Sequence, residues 1–312
     1  MRTTAVVLGM ALPGCGPIAA GGAGCSIVTG PLALHEAIAE ASGAAVSSDD
    51  PDVIWTHNDG GSRLFAVRRS GELVATYTFD ARVRDPEDVA VSRCGAGSCL
   101  YLADVGDNGE RRPGVAILRI PEPDLGPGVR PAAPADSAAP VRVGRAVAGR
   151  LTAERFPARL PDGPRDIEAM AVLPGERILL ITKGRNHAVT VYRYPGVLRP
   201  DTVTLVEVQR LSAGPRILPR QVTGASASPA GDVVAVRTYE SLRLYRVDGD
   251  TLAEIPGSLL SLRPLREVQG EGVALGTDGR ITLTSEAGPA GGRASVTTLR
   301  CPAAMESAPV SG

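Results

Sequence analysis

Short apolar runs, rich in Val, Ile, Leu and Thr and split by Gly, Pro and Asp, recur along the chain from end to end. Runs of this length bounded by turn residues are strands, and helical periodicity is scarce, so an all-β fold is expected. One signature returns five times: a small or acidic pair, three mostly apolar residues, a turn, and a second apolar run that ends in polar residues. The copies are Ser42–Val46 with Val53–Asp59, Glu87–Val91 with Leu100–Asp104, Glu168–Val172 with Ile178–Lys183, Thr223–Ala227 with Val233–Arg237, and Glu271–Leu275 with Ile281–Glu286. A third run follows each pair (Leu64–Arg68, Ala116–Ile120, Val189–Tyr194, Leu242–Val247, Ser295–Leu299). In the first four copies a fourth run follows, as in Leu73–Phe79 and Val203–Leu211.

The copies start 45, 81, 55 and 48 residues apart. Four strands per unit at this period predict a β-propeller of five four-stranded blades. The 81-residue interval contains the Pro/Ala-rich stretch 121–140, read as a surface insertion; six blades is the alternative if it hides a degenerate one. The fifth unit has only three strands before Cys301, and the segment after Cys25 can supply the fourth. The ring would then close with an N-terminal strand, giving one domain over 26–301 and a loose tail at 302–312.

Composition narrows the function classes. The 33 Lys plus Arg against 34 Asp plus Glu, a net charge of −1, exclude a nucleic-acid binder held by bulk charge. No apolar run reaches the roughly 20 residues of a spanning helix. Residues 1–25, with Arg2, a short apolar stretch and a Gly/Ala-rich end, read as an export signal. Leu12-Pro13-Gly14-Cys15 also fits a lipobox with Cys15 as the lipidated residue, and a plain signal cleaved near Ala23 or Gly24 is the alternative. The expected location is therefore extracytoplasmic, secreted or lipid-anchored on the outer side of a bacterial membrane, with no other membrane attachment.

Five cysteines in an exported chain leave one over. Cys94 and Cys99 flank Gly-Ala-Gly-Ser between two strand runs and can staple a hairpin tip. Cys25 and Cys301 stand at the two ends of the repeats and can tie the ring. Cys15 is then the leftover. In the chain-entropy model the short loop is worth about 2 kcal/mol and the long one roughly 5 kcal/mol.

In a propeller the first strand of each blade enters the channel from one face and the second returns to it. Starts of first strands and ends of second strands therefore share one mouth, and the opposite mouth receives mainly turns. The shared mouth collects Glu87, Asp88, Asp166, Glu168, Thr223, Gln269 and Glu271 from the starts. From the ends come His57, Asn58, Asp59, Asp104, Asp107, Asn108, Lys183, Arg185, Arg237, Glu240 and Glu286. Carboxylates gathered on one axis need a cation or basic partners, and oxygen donors without a zinc-spaced Cys/His set suit Ca²⁺. Glu87, Glu168 and Glu271 are the expected metal ligands. In the competing reading these acids pair with Arg165, Lys183, Arg185, Arg220 and Arg237 and only hold blades together. Ligand contacts are expected from Asn58, Asp59, Asp88, Asn108, Lys183, Arg185, Arg237 and Glu286. His57, Asp104 or Asp107 would be a general base, although Asp and Asn before Gly also make ordinary turns and His57 can cap one. No Gly-x-Ser-x-Gly elbow of a serine hydrolase occurs. Trp55 and Tyr101 read as blade core.

Glu40-Ala41-Ser42-Gly43, Trp55-Thr56-His57-Asn58-Asp59-Gly60-Gly61, Pro86-Glu87-Asp88-Val89-Ala90, Leu100 to Asn108, and Pro121-Glu122-Pro123 resemble a family of secreted bacterial propeller proteins without an established reaction. The likeness spans most of 36–300 and is most specific in the first two blades. Val105-Gly106-Asp107-Asn108 is similar to the strand end of NHL repeats. Gln269-Gly270-Glu271-Gly272-Val273-Ala274 is similar to a motif of esterase-like phytases and, more loosely, to the metal-binding Glu of gluconolactonase-type propellers. Two functions follow as expectations. The first is a monomeric propeller that binds a small molecule, glycan or protein at the charged mouth. The second is a Ca²⁺-dependent hydrolase of phosphoesters or lactones.

Overall fold

The computed structural model describes residues 24–126, 147–288 and 292–301. Cys15, the signal segment, the tail 302–312 and most of the Pro/Ala-rich stretch lie outside the described residues.

The first strand, β1 (Ser26–Ala33), belongs to the last sheet. Blade 1 follows as β2 (Ala41–Val46), β3 (Val53–Asn58), β4 (Arg63–Arg68) and β5 (Leu73–Phe79). Blade 2 starts with β6 (Pro86–Cys94), β7 (Gly97–Asp104) and β8 (Val115–Pro121). After residue 146 the chain re-enters as β9 (Val147–Leu151), which pairs in parallel with the outer strand of blade 1. It then supplies β10 (Glu154–Arg159), the fourth strand of blade 2. The 81-residue interval thus contains no sixth blade among the described residues. Blade 3 is β11 (Ile167–Leu173), β12 (Arg177–Thr182), β13 (Thr190–Arg193) and, after the two-residue β14 (Val203–Thr204) that pairs with β10, β15 (Val206–Arg210). Blade 4 is β16 (Val222–Ala227), β17 (Val233–Thr238), β18 (Ser241–Asp248) and β19 (Thr251–Glu254), with β20 (Leu260–Ser261) also on β18. Blade 5 is β21 (Gln269–Leu275), β22 (Arg280–Glu286) and β23 (Ser295–Arg300).

Blade 5 is completed by β1, antiparallel to β23 with Ser26 opposite Arg300. Beside that pair Cys25 and Cys301 form a disulfide, and Cys94–Cys99 closes the β6–β7 hairpin. Both bridges fit an oxidising, extracytoplasmic compartment. No helix among the described residues is long and apolar enough to cross a membrane.

The innermost strands β2, β6, β11, β16 and β21 pack side by side around the axis. Successive side chains of a strand point to opposite faces, and each face packs against a neighbouring blade. Leu100 and Leu102 join the blade 1–blade 2 core, whereas Tyr101 and Ala103, one residue along, join the blade 2–blade 3 core. Five such hydrophobic clusters occupy the five seams. Trp55 and Tyr101 are fully buried in them, as core residues.

Candidate functional site

Every innermost strand carries a register shift at its mouth end, between Ser42 and Ala45, Pro86 and Asp88, Ile167 and Ala169, Val222 and Gly224, and Gly270 and Val273. A bulge leaves a residue out of the ladder and re-aims its side chain. Glu87, Glu168, Thr223 and Glu271 sit in these bulges, and Ser42 opens the one in blade 1. Where the position is a hydroxyl it ties blades together: Ser42 Oγ donates to the Glu87 carbonyl at 2.9 Å and Thr223 Oγ1 to the Glu271 carbonyl at 3.3 Å. Where it is a glutamate, charge collects.

Two groups of carboxylates result, Asp59–Asp85–Glu87 and Glu87–Asp166–Glu168, with oxygens within 4.8 Å of one another in each. Ligands on opposite sides of a Ca²⁺ ion are about 4.8 Å apart, because each Ca–O bond is roughly 2.4 Å. Gly106 makes the first group sterically feasible, since a Cβ there would lie 2.0 Å from Glu87 Oε1 and 2.6 Å from Asp85 Cγ. In the second group Lys183 Nζ bonds Glu168 Oε1 at 2.6 Å and stands 3.8 Å from Asp166 Oδ2. Asp166 Oδ1 accepts the Asp107 N–H at 3.0 Å, while its buried Oδ2 has no hydrogen-bond partner.

One lysine does not neutralise this much negative charge. Burial, and then the charges of Glu168, Asp85 and Asp59, push Glu87 well above the usual carboxylate range. Burial does the same to Glu168, against the pull of Lys183. Glu271 is pushed up to about 7 by burial, although Gln269 Nε2 donates to it at 2.8 Å. Glu286 rises to about 8 through burial and the charges of Glu271 and Asp59. Asp59 rises to about 6 through burial and the charge of Asp85. Burial and mutual repulsion thus favour protonation of these carboxylates, and the same repulsion would favour a cation placed among them.

Other expected site residues stand elsewhere. Asp88 is fully buried on the axis, accepting the N–H groups of Val89 (2.9 Å), Met170 (2.9 Å) and Ala225 (3.1 Å) from three blades. Arg237 is fully buried and joins blades 4 and 5, donating to the carbonyls of Gly272 (2.7 Å) and Thr284 (3.0 Å) and pairing with Glu267. The bare Gly270 makes room for it, because a Cβ there would lie 1.9 Å from its Nη2. Asp104 accepts from the backbone of Arg84 and Asp85 and from Arg112 and Arg155. Burial alone would raise its pKa, but these donors hold it below the ordinary value. Asp107 accepts the Arg112 N–H, Asn108 is exposed, and Asn58 Nδ2 donates to the Ala37 carbonyl at 3.0 Å. His57 is buried, its pKa lowered by burial to about 4, with Nδ1 3.0 Å from the Asn58 carbonyl and Nε2 unpartnered. Arg185 is exposed. Of the basic residues expected to neutralise the bulge glutamates, Lys183 alone does so among the described residues; Arg165 pairs with Asp162 and Arg220 with Glu240.

Asp85 is the member of the site that the repeats do not reveal. It precedes Pro86, just outside the repeated signature, and an acid directly before a strand start was its signal. The opposite mouth has different chemistry. A cavity of about 420 Å³ lined by all five blades opens there, with Ser47, Ser92, Ser226 and Ser228 among apolar neighbours and Arg93 as the one charged lining residue.

No family model matches the chain, and no curated protein matches it. Solved propeller enzymes do superpose on it. The PQQ-bound aldose sugar dehydrogenase of Streptomyces coelicolor aligns at a TM-score of 0.49 and 11% identity, over 91% of this chain and 99% of that one. A gluconolactonase of Xanthomonas campestris aligns at 0.46 and 13%, over 90% and 92%. A virginiamycin B lyase of Staphylococcus aureus aligns at 0.37 and 10%, over 86% and 82%. At these values the matches carry no argument about this chain, and any activity has to be argued from its own site.

Proposed function

We propose that this chain is an extracytoplasmic propeller whose charged mouth binds a divalent cation and, through it, a small-molecule, glycan or protein ligand. The convergence of Asp59, Asp85 and Glu87 carries this reading: three carboxylate oxygens within 4.8 Å of one another, none with a Lys or Arg ion pair among the described residues. Glu87 also reaches Asp166 and Glu168, so it is the central donor, and hard oxygen donors of this kind suit Ca²⁺. Glu271 and Glu286 would line the approach rather than hold the ion.

Calorimetric titration of Ca²⁺ into chelator-treated protein tests this. Binding is expected for the native chain, with at least about a tenfold loss for Glu87→Gln, since a central charged ligand is removed. No heat of binding, or equal affinity in the variant, would overturn the reading.

A cation-dependent hydrolase of phosphoester or lactone substrates is the second reading. It is favoured by Glu286, a mouth carboxylate at the end of β22 with no ion pair among the described residues. A cation at the mouth would polarise the scissile group. The bases first expected are less suited: Asp104 is engaged by two arginines, and His57 is buried behind the inner strands. Chelator-sensitive turnover in a hydrolase screen would favour this reading, and Ca²⁺ binding without turnover the first.

A further inference from the structure

On the face that bears the mouth, away from the axis, the segment Pro215-Arg216-Ile217-Leu218-Pro219-Arg220 leads into β16. Ile217 is 77% exposed and Leu218 64%, consecutive apolar residues projecting from the surface between two arginines. The tip is held as a defined turn: the Arg220 N–H donates to the Ile217 carbonyl at 2.8 Å, and the Arg216 N–H to the Gly184 carbonyl at 2.6 Å. Beside it a groove of about 680 Å³ runs along blade 4, with the 46%-exposed Leu259 at its edge. Four arginines line that groove (Arg216, Arg220, Arg243 and Arg263) against two glutamates, Glu240 and Glu254. Glu240 is paired with both Arg220 and Arg263, and Glu254 with Arg243. The excess charge here is therefore positive, on a chain whose net charge is −1.

We infer that this loop is a membrane-contacting element that inserts Ile217 and Leu218 into an anionic lipid surface while the surrounding arginines meet the headgroups. A projecting apolar pair flanked by cations matches an interface that is apolar below and negative at its surface. A protein partner fits less well. The flank of β18 beside the groove is already covered by β19 at Tyr245–Asp248 and by β20 at Ser241–Leu242, which leaves no open edge there for a peptide strand. Two apolar side chains and a few arginines give weak, reversible attachment, of the kind that acts with a second anchor. The loop is separate from the acid groups, so failure of this inference leaves the cation reading standing, and the reverse holds too.

Vesicle flotation of the full chain carrying Cys15→Ser, which removes any lipidation, tests it. Phosphatidylcholine vesicles are compared with vesicles that also contain phosphatidylglycerol. Partitioning onto the anionic vesicles is expected to be about tenfold stronger, to fall with salt, and to be lost in the Ile217→Asp, Leu218→Asp double variant. The milder Ile217→Ser, Leu218→Ser pair serves if the aspartates disturb the turn. Arg216→Gln with Arg220→Gln should remove most of the anionic preference. In an Ile217→Trp variant, brominated lipid should quench the new indole and spare the fully buried Trp55. Equal binding to neutral vesicles, binding unchanged by the double variants, or an unquenched indole would each overturn the inference. So would light scattering that shows a dimer dissolved by those variants, because the surface would then belong to a second copy.

Discussion

Glu87 owes its position to two local facts, a bulge that turns it toward the axis and a glycine that leaves it room. Gly106→Ala should displace Glu87 and Asp85 together, because its Cβ would overlap a carboxylate oxygen. Ca²⁺ affinity is expected to drop at least about tenfold while the melting temperature falls only by the few degrees of a modest overpacking, about 1–3 kcal/mol. Calorimetry and a thermal melt on one sample check both parts. Asp88 predicts the opposite balance. Asp88→Ala strips the acceptor from three buried N–H groups of three blades. Each orphaned donor costs about 1–3 kcal/mol, so a loss of several kcal/mol in a denaturant melt is expected. A melt within experimental error of the native one would refute an axial structural role for Asp88.

At the scale of the element, the first two strands of each blade were legible because their alternation and their acidic or small starts repeat. That repetition puts Glu87, Glu168 and Glu271 at equivalent positions in the sequence. It did not reveal which strand-end charges turn inward. Arg237 and Asp104 sit at the expected ends of β17 and β7, yet Glu267 and Arg112, from connecting segments outside the repeat, capture them. Glu122 is a similar case. It belongs to a Pro-Glu-Pro motif visible in the sequence, but only the fold brings it to Trp55 Nε1 (2.8 Å), Ser47 Oγ (2.8 Å) and Ser98 Oγ (2.7 Å). The two disulfides differ in reach, with sequence separations of 276 and 5 residues. Cys25→Ser with Cys301→Ser should cost roughly 5 kcal/mol on the chain-entropy account, and Cys94→Ser with Cys99→Ser about 2 kcal/mol. Chemical denaturation under oxidising conditions ranks them, and a reversed order would count against ring closure by the first bridge.

For the whole molecule, near-neutral net charge conceals a separation of sign: carboxylates at the axis and arginines along blade 4, on one face. This sets a pH dependence. Glu271 and Glu286 hold their protons to about pH 7 and 8, above the ordinary value of a glutamate in an unfolded chain. The native state therefore binds those protons more tightly, and the stability they contribute is present in acid and lost as pH rises through 7 and 8. His57 acts in the other direction, but its contribution is lost only as pH falls from 6.5 toward about 4. Between pH 6.5 and 8.5 the melting temperature of chelator-treated protein should therefore fall. Saturating Ca²⁺ should flatten that fall, because the charge of a cation nearby favours the ionised carboxylates and so lowers the pH at which those protons are lost. A chelated protein that becomes more stable over this range would contradict the arrangement of charges at the mouth.

The pairing of β1 with β23 has a consequence for how the chain comes to be folded. During synthesis or export the earliest of these strands emerges long before its partner, and blade 5 stays incomplete until almost the whole chain is available. Through that interval β1 and the seams on either side of the gap expose strand edges and apolar faces. Contacts this distant in sequence also form slowly. The vulnerable period for this protein is thus its own biogenesis, and a truncation that removes β23 should yield an aggregating open arc rather than a smaller ring.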